Sequence, residues 1–165
     1  MTLWQIPPLV YLAVATIPLV YRDLRSHRLP NAWVFTGVGI VVLSWAGMWL
    51  STGDIPGVSM LSAGGYFLFM LALAIAGGMG MGDVKLAFVL GAVTGTFGIT
   101  PAVLSPVVAF LSGGIVSAGI LVSTQMLTRA SGTTSWQATQ HRRIAFGPFM
   151  LAGAWVALIV QWVTA

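Results

Sequence analysis

The sequence predicts an all-α membrane protein, a polytopic bundle of about six transmembrane helices with both termini exterior. Three observations carry that expectation: the composition, the spacing of the apolar runs and the sorting of the charges. The 165 residues are 58% hydrophobic and 6% charged, with a mean hydropathy of +0.95. Ordinary soluble domains carry roughly 25% charged residues, so this chain has too few polar side chains to cover a water-soluble globule. Its apolar residues instead fall in runs of membrane-spanning length.

Taken in order, the runs predict spans near Leu3 to Tyr21, Ala32 to Leu50, Ser59 to Ala76, Val84 to Gly98, Val107 to Leu127 and Ile144 to Val163. The fourth is short, and Pro101 and Pro106 imply a tight connection between it and the fifth. Five or seven spans are the alternatives. Ala13-Val14-Ala15 mimics a signal cleavage site, but no basic segment precedes it and the apolar run continues beyond it.

The connections alternate between faces, and the charges sort with them. Arg22, Arg25, Arg28, Lys85, Arg129, Arg142 and Arg143 fall on one side, whereas the opposite connections carry only Asp54. The positive-inside rule assigns the basic face to the cytoplasm. The whole chain, residues 1–165, reads as a single integral domain, and the polar connection 128–143 is its one sizeable extramembrane segment.

The net charge of +4 comes from basic residues scattered between apolar runs, so no nucleic-acid stripe exists. The absence of cysteine excludes disulfides, thiolate metal sites, thioether haem attachment and cysteine nucleophiles. His27 and His141 lack the helical spacing of metal ligands and read as solvated loop residues. Gly91 and Gly95 form a GxxxG pair, and Gly114 with Ala118 extends the small-residue pattern that lets helices approach closely.

The acids are three aspartates, and the predicted topology puts Asp23 and Asp83 on the cytoplasmic face with Asp54 across the bilayer. Asp23 ends the first span, where the helix dipole disfavours a carboxylate; pairing with Arg22 or Arg25 is the plain alternative to a functional role. Asp83 follows the glycine-dense stretch Gly77 to Gly82, and a helix N-cap is its plain alternative. Two ionisable groups near membrane depth on one face point instead to a working pair. Two close carboxyls hold one proton between them, so one can take a proton from water while the other hydrogen-bonds a scissile carbonyl.

Three segments carry a resemblance: Asp23-Leu24-Arg25-Ser26-His27-Arg28-Leu29-Pro30-Asn31, Gly80-Met81-Gly82-Asp83-Val84-Lys85-Leu86, and Phe146-Gly147-Pro148-Phe149. Together they resemble the type IV prepilin peptidase family, whose GxGD motif is matched by Gly80, Gly82 and Asp83. Lys85 and Leu86 match the Lys-Leu that follows it, and Pro30 and Asn31 the Pro-Asn downstream of the first acid. The resemblance implies an aspartic endopeptidase that removes the short basic leader of type IV pilin-like precursors at the cytoplasmic membrane face. Asp23 and Asp83 would be catalytic, with Pro30, Asn31, Gly80, Gly82, Lys85, Gly147 and Pro148 supporting the site.

The implied mechanism needs no metal and no other cofactor. The implied partners are a precursor with a basic leader and an apolar helix, and the lipid bilayer of the cell membrane. Larger relatives carry an N-terminal zinc-binding cysteine region associated with methylation; this compact chain resembles the peptidases of Flp-type, tight-adherence pili or their archaeal counterparts, and methyltransferase activity is not expected. Lys85 could bias Asp83 or anchor to headgroups, and Phe146 to Phe149 would set packing at the entry to the last span. Two rival readings of the paired acids are a small transporter or proton relay, which lacks the expected internal repeat, and a catalytically silent pilus-assembly subunit.

Overall fold

The computed structural model describes residues 3–26, 30–77, 80–131 and 146–164, with side chains described for these except 26 and 120–131. Among the described residues every apolar run is helical and no strand occurs. A 3-10 turn, Leu3–Gln5, leads into α1 (Ile6–Ser26), followed by α2 (Asn31–Thr52), α3 (Gly57–Ile75), α4 (Met81–Gly95), α5 (Ile99–Ser131) and α6 (Gly147–Thr164). Five of these, all but α4, include a segment long and apolar enough to cross a membrane. At about 1.5 Å per residue, α4 extends only ~22 Å, short of a hydrocarbon core of ~30 Å.

The short helix is the axis of the bundle. It packs against each of the other five, and α1 touches α2 and α6, α6 touches α5, and α5 touches α3. Consequently α4 buries Val84, Leu86, Ala87 and every residue from Val89 to Gly95, whereas the outer helices each bury one stripe. On α3 that stripe is Ser59, Ala63, Tyr66 and Met70. On α1 it runs Tyr11, Leu12, Ala15, Leu19 and Asp23, so the acid continues the core-facing row at helical spacing. Between α2 and α3, Phe88 of α4 makes edge-on contacts with Trp45 and Phe67.

The tightest approach joins α3 to α4. A Cβ at Gly91 would fall 2.6 Å from the Ser62 carbonyl oxygen, and one at Gly95 would fall 2.7 Å from Ser59 Cα. The GxxxG pair is therefore a backbone contact surface, as its spacing suggested. Gly114 and Ala118 do not extend it: both are exposed, and nothing lies within 4 Å of a Cβ at Gly114. Gly113 is the buried glycine of α5, and it accommodates the Phe146 ring.

The connection before α5 is tight, as the prolines implied, but it lies earlier in the chain than they do. It comprises only residues 96–98, turning through Gly98 at φ 123. Pro101 then sits in the first turn of α5, where a missing N–H leaves no helical bond unmade, and Pro106 lies inside the helix. The expected proline connection is thus helix. Most of the polar segment 128–143, including Trp136, His141, Arg142 and Arg143, lies outside the described residues, as do His27 and Arg28.

Candidate active site

Asp23 stands in the last turn of α1 and is 5% exposed. Its Oδ2 accepts a hydrogen bond of 3.0 Å from the backbone N–H of Gly147, the first residue of α6. The unfavourable end of the α1 dipole is therefore offset by the positive end of α6, whose first N–H groups have no partner within their own helix. Sequence reasoning gave the Phe146–Phe149 segment a packing role, and the resemblance made Gly147 and Pro148 site-supporting without saying how. The segment does pack, since the Phe146 ring lies 5.2 Å from that of Phe110 and 6.2 Å from that of Phe149. Its backbone also holds the first aspartate.

Gly147 is constrained at this contact, because a Cβ there would fall 2.6 Å from Asp23 Oδ2. The α1–α6 pairing that brings them together is fastened deeper in the bundle by Trp155, whose Nε1 donates to Thr16 Oγ1 at 3.0 Å. Pro148 follows at the second position of α6, where its lack of an N–H leaves no helical bond unmade.

Asp83 lies in the first turn of α4. It is not the N-cap: Gly80 holds that position in extended conformation, φ −79 and ψ 145, with no side-chain capping bond. The Asp83 carboxylate instead folds back beside Gly80, with its Oδ2 3.7 Å from where a Cβ of Gly80 would stand, and its own N–H donates to the Gly80 carbonyl at 3.1 Å. Gly80 and Gly82 thus keep the chain slim where the acid folds back on the helix start. The two aspartates lie within electrostatic reach of one another. Each has helix-terminal N–H groups beside it, Asp83 those of α4 and Asp23 those of α6, an arrangement that offsets the cost of collecting two acids.

Lys85 finds its partners within the bundle. Its Nζ donates to Asn31 Oδ1 at 3.1 Å and stands 5.3 Å from the centre of the Phe35 ring. This ties the start of α4 to the start of α2, where Pro30 occupies the N-cap and its carbonyl accepts from the Trp33 N–H at 3.1 Å. The motif residues Pro30, Asn31 and Lys85 are therefore gathered at the same end of the bundle as the aspartates. Arg25 lies 4.8 Å from the Tyr21 ring centre, and Asp54 is exposed in the α2–α3 connection, away from the pair. Among the described residues no three His, Asp or Glu side chains gather as a metal-binding group.

Sequence reasoning missed Tyr66, a buried tyrosine of α3 within electrostatic reach of Asp83. The available signal was its phenol in the middle of an apolar span. It also missed the backbone donor at Gly147, which no side-chain pattern advertises.

These features define an all-helical, multi-pass membrane protein with two aspartates drawn together at one end of its helices. The family model of the type IV leader peptidase family matches residues 10–123, and the chain belongs to that family. Membership implies a leader-peptidase type of protease, with a pilin precursor as substrate in general terms. The matched segment includes Asp23, Asp83 and the residues linking α2 to α4, while Gly147 lies beyond it. No curated protein and no solved structure matches the chain.

Proposed function

We propose that this chain is an aspartic endopeptidase that removes the short leader of a type IV pilin-like precursor, using Asp23 and Asp83. The observation that carries the reading is the convergence of two acids, distant in sequence, at the starts of α4 and α6. A pair of this kind shares one proton. The ionised partner takes a proton from water, the protonated one hydrogen-bonds the scissile carbonyl oxygen, and attack gives a tetrahedral intermediate without a covalent adduct. Which carboxyl holds the proton is a property of the pair.

The charge distribution supports residues 1–165 as one integral domain in the cell membrane, with both termini outside and the aspartates at the cytoplasmic face. There the site meets the junction between a precursor's basic leader and its apolar helix. Pro30, Asn31, Gly80, Gly82, Lys85, Gly147 and Pro148 hold the two acids rather than react.

The test is co-expression with a leader-bearing precursor, read as a shift in precursor size. The wild-type chain is expected to cleave it, and Asp23→Asn and Asp83→Asn variants that insert and fold are expected not to. Cleavage by both variants would sink the aspartic mechanism. Solute flux abolished by both substitutions, with no change in precursor size, would identify a transporter instead.

A further inference from the structure

The aspartates are not the only polar groups buried in this part of the bundle. Tyr66 projects from the core-facing stripe of α3 and is 5% exposed, and its hydroxyl has no hydrogen-bond partner among the described residues. Packing accounts for the ring. It does not account for the oxygen, because phenylalanine would fill nearly the same volume without an O–H stripped of water and given nothing in return.

The level of Tyr66 along its helix is informative. Ser59 lies against Gly95, and Ser62 and Ala63 lie against Gly91, so α3 and α4 run antiparallel in a defined register. Continued along the helices, the register sets Asp83 level with residues 70–71 and Tyr66 about one turn deeper. That places Asp83 within electrostatic reach of Tyr66. A carboxylate is the strongest acceptor a phenol meets among side chains. Among the described residues the acids are Asp23, Asp54 and Asp83, and Asp54 lies in the α2–α3 connection, so the carboxylates at this end of the bundle are Asp83 on α4 and Asp23 on α1.

We propose that Tyr66 is a positioning residue of the peptidase site, whose hydroxyl donates a hydrogen bond to the Asp83 carboxylate when a precursor occupies the site. The bond fixes the direction of that carboxylate for its exchange of protons with water and substrate. In the resting molecule the bond is unmade and the hydroxyl waits in the core. This inference rests on the reading of Asp83 as a catalytic acid.

The unpaired hydroxyl makes stability and activity separate in Tyr66→Phe. A purely structural tyrosine would lose stability and activity together, or neither. The expected result is an unfolding temperature in detergent that is unchanged or raised, a KM for the precursor within about twofold of wild type, and a kcat lowered roughly tenfold. Asp83→Asn is assayed beside it. If the wild type cleaves, Asp83→Asn does not, and Tyr66→Phe keeps its kcat within about twofold, the role of Tyr66 is overturned while the aspartic mechanism stands. A fall in unfolding temperature that accounts for the lost activity overturns it equally. Cleavage by Asp83→Asn at the wild-type rate removes the reading beneath it.

Discussion

Gly147 donates its backbone N–H to Asp23 Oδ2 across 3.0 Å, so an acid in the last turn of α1 caps the first turn of α6. The contact resolves why an aspartate occupies a helix end whose dipole disfavours it. It also couples the proposed chemistry to the packing of the last helix, since any shift of α6 moves the carboxylate.

That coupling makes Gly147 intolerant of a methyl group. In Gly147→Ala the new Cβ would fall 2.6 Å from Asp23 Oδ2, and overpacking of this kind costs about 1–3 kcal/mol. Precursor cleavage is expected to fall roughly tenfold or more, because a misplaced reacting group is penalised steeply. A cleavage assay on folded, detergent-purified protein checks this, and wild-type kinetics would refute it.

Asparagine and alanine at position 23 are expected to differ in stability while agreeing in activity. Asp23→Asn retains a side-chain oxygen for the Gly147 N–H, whereas Asp23→Ala leaves the start of α6 uncapped. Loss of such a cap costs about 1 kcal/mol. Thermal unfolding should therefore order wild type close to Asp23→Asn and both above Asp23→Ala, with neither variant cleaving precursor.

The α3–α4 contact predicts opposite outcomes for two glycines. Gly91→Ala would drive its Cβ to 2.6 Å from a backbone oxygen, while nothing lies within 4 Å of a Cβ at Gly64. The first is expected to destabilise by about 1–3 kcal/mol. The second, half-buried in the interior of α3 with open space beside it, is expected to be neutral or to stabilise by up to ~1 kcal/mol. Unfolding temperatures of the two variants measured side by side decide it.

Lys85 and Asn31 act as one fastening, joined at 3.1 Å. Lys85→Met keeps the aliphatic stem and removes the donor; Asn31→Ala removes the acceptor. Each is expected to lower cleavage a few-fold with an unfolding cost of at most ~1 kcal/mol. The double variant should be no worse than the more affected single one, the mark of a shared interaction. Additive losses would show that the two residues act separately.

Much of the fold was legible because membrane-spanning segments announce themselves. With no water in the hydrocarbon, backbone groups must bond within each segment, so a long apolar run becomes a helix whatever surrounds it. The runs ending near Tyr21, Leu50 and Ala76 correspond to α1, α2 and α3 for that reason. The run expected to begin at Val107 failed locally: helical bonding continued through Pro106, and the turn fell at Gly98. Proline excludes one bond, and neighbouring packing decides whether a helix survives the loss.

The motif residues were likewise visible as types at spacings, but not as contacts. Asp83 could be read as an N-cap until Gly80 was seen to hold that place. Gly114 and Gly113 are indistinguishable in composition, and only the position of Phe146 shows which one packs.

By itself, then, the sequence determined that this is a helical membrane protein, where its acids lie along the chain, and which family its motifs resemble. Hydrophobicity and spacing are properties of the chain alone, and they needed no partner to be expressed. The tertiary structure decided that the shortest helix is the central one, that Asp23 and Asp83 come within reach of each other, that Gly147 bonds Asp23 and that Lys85 ties the start of α4 to that of α2. Those relations depend on which helices are neighbours, and in this bundle backbone contact at Gly91 and Gly95, together with the capping of α6 by Asp23, sets the neighbours.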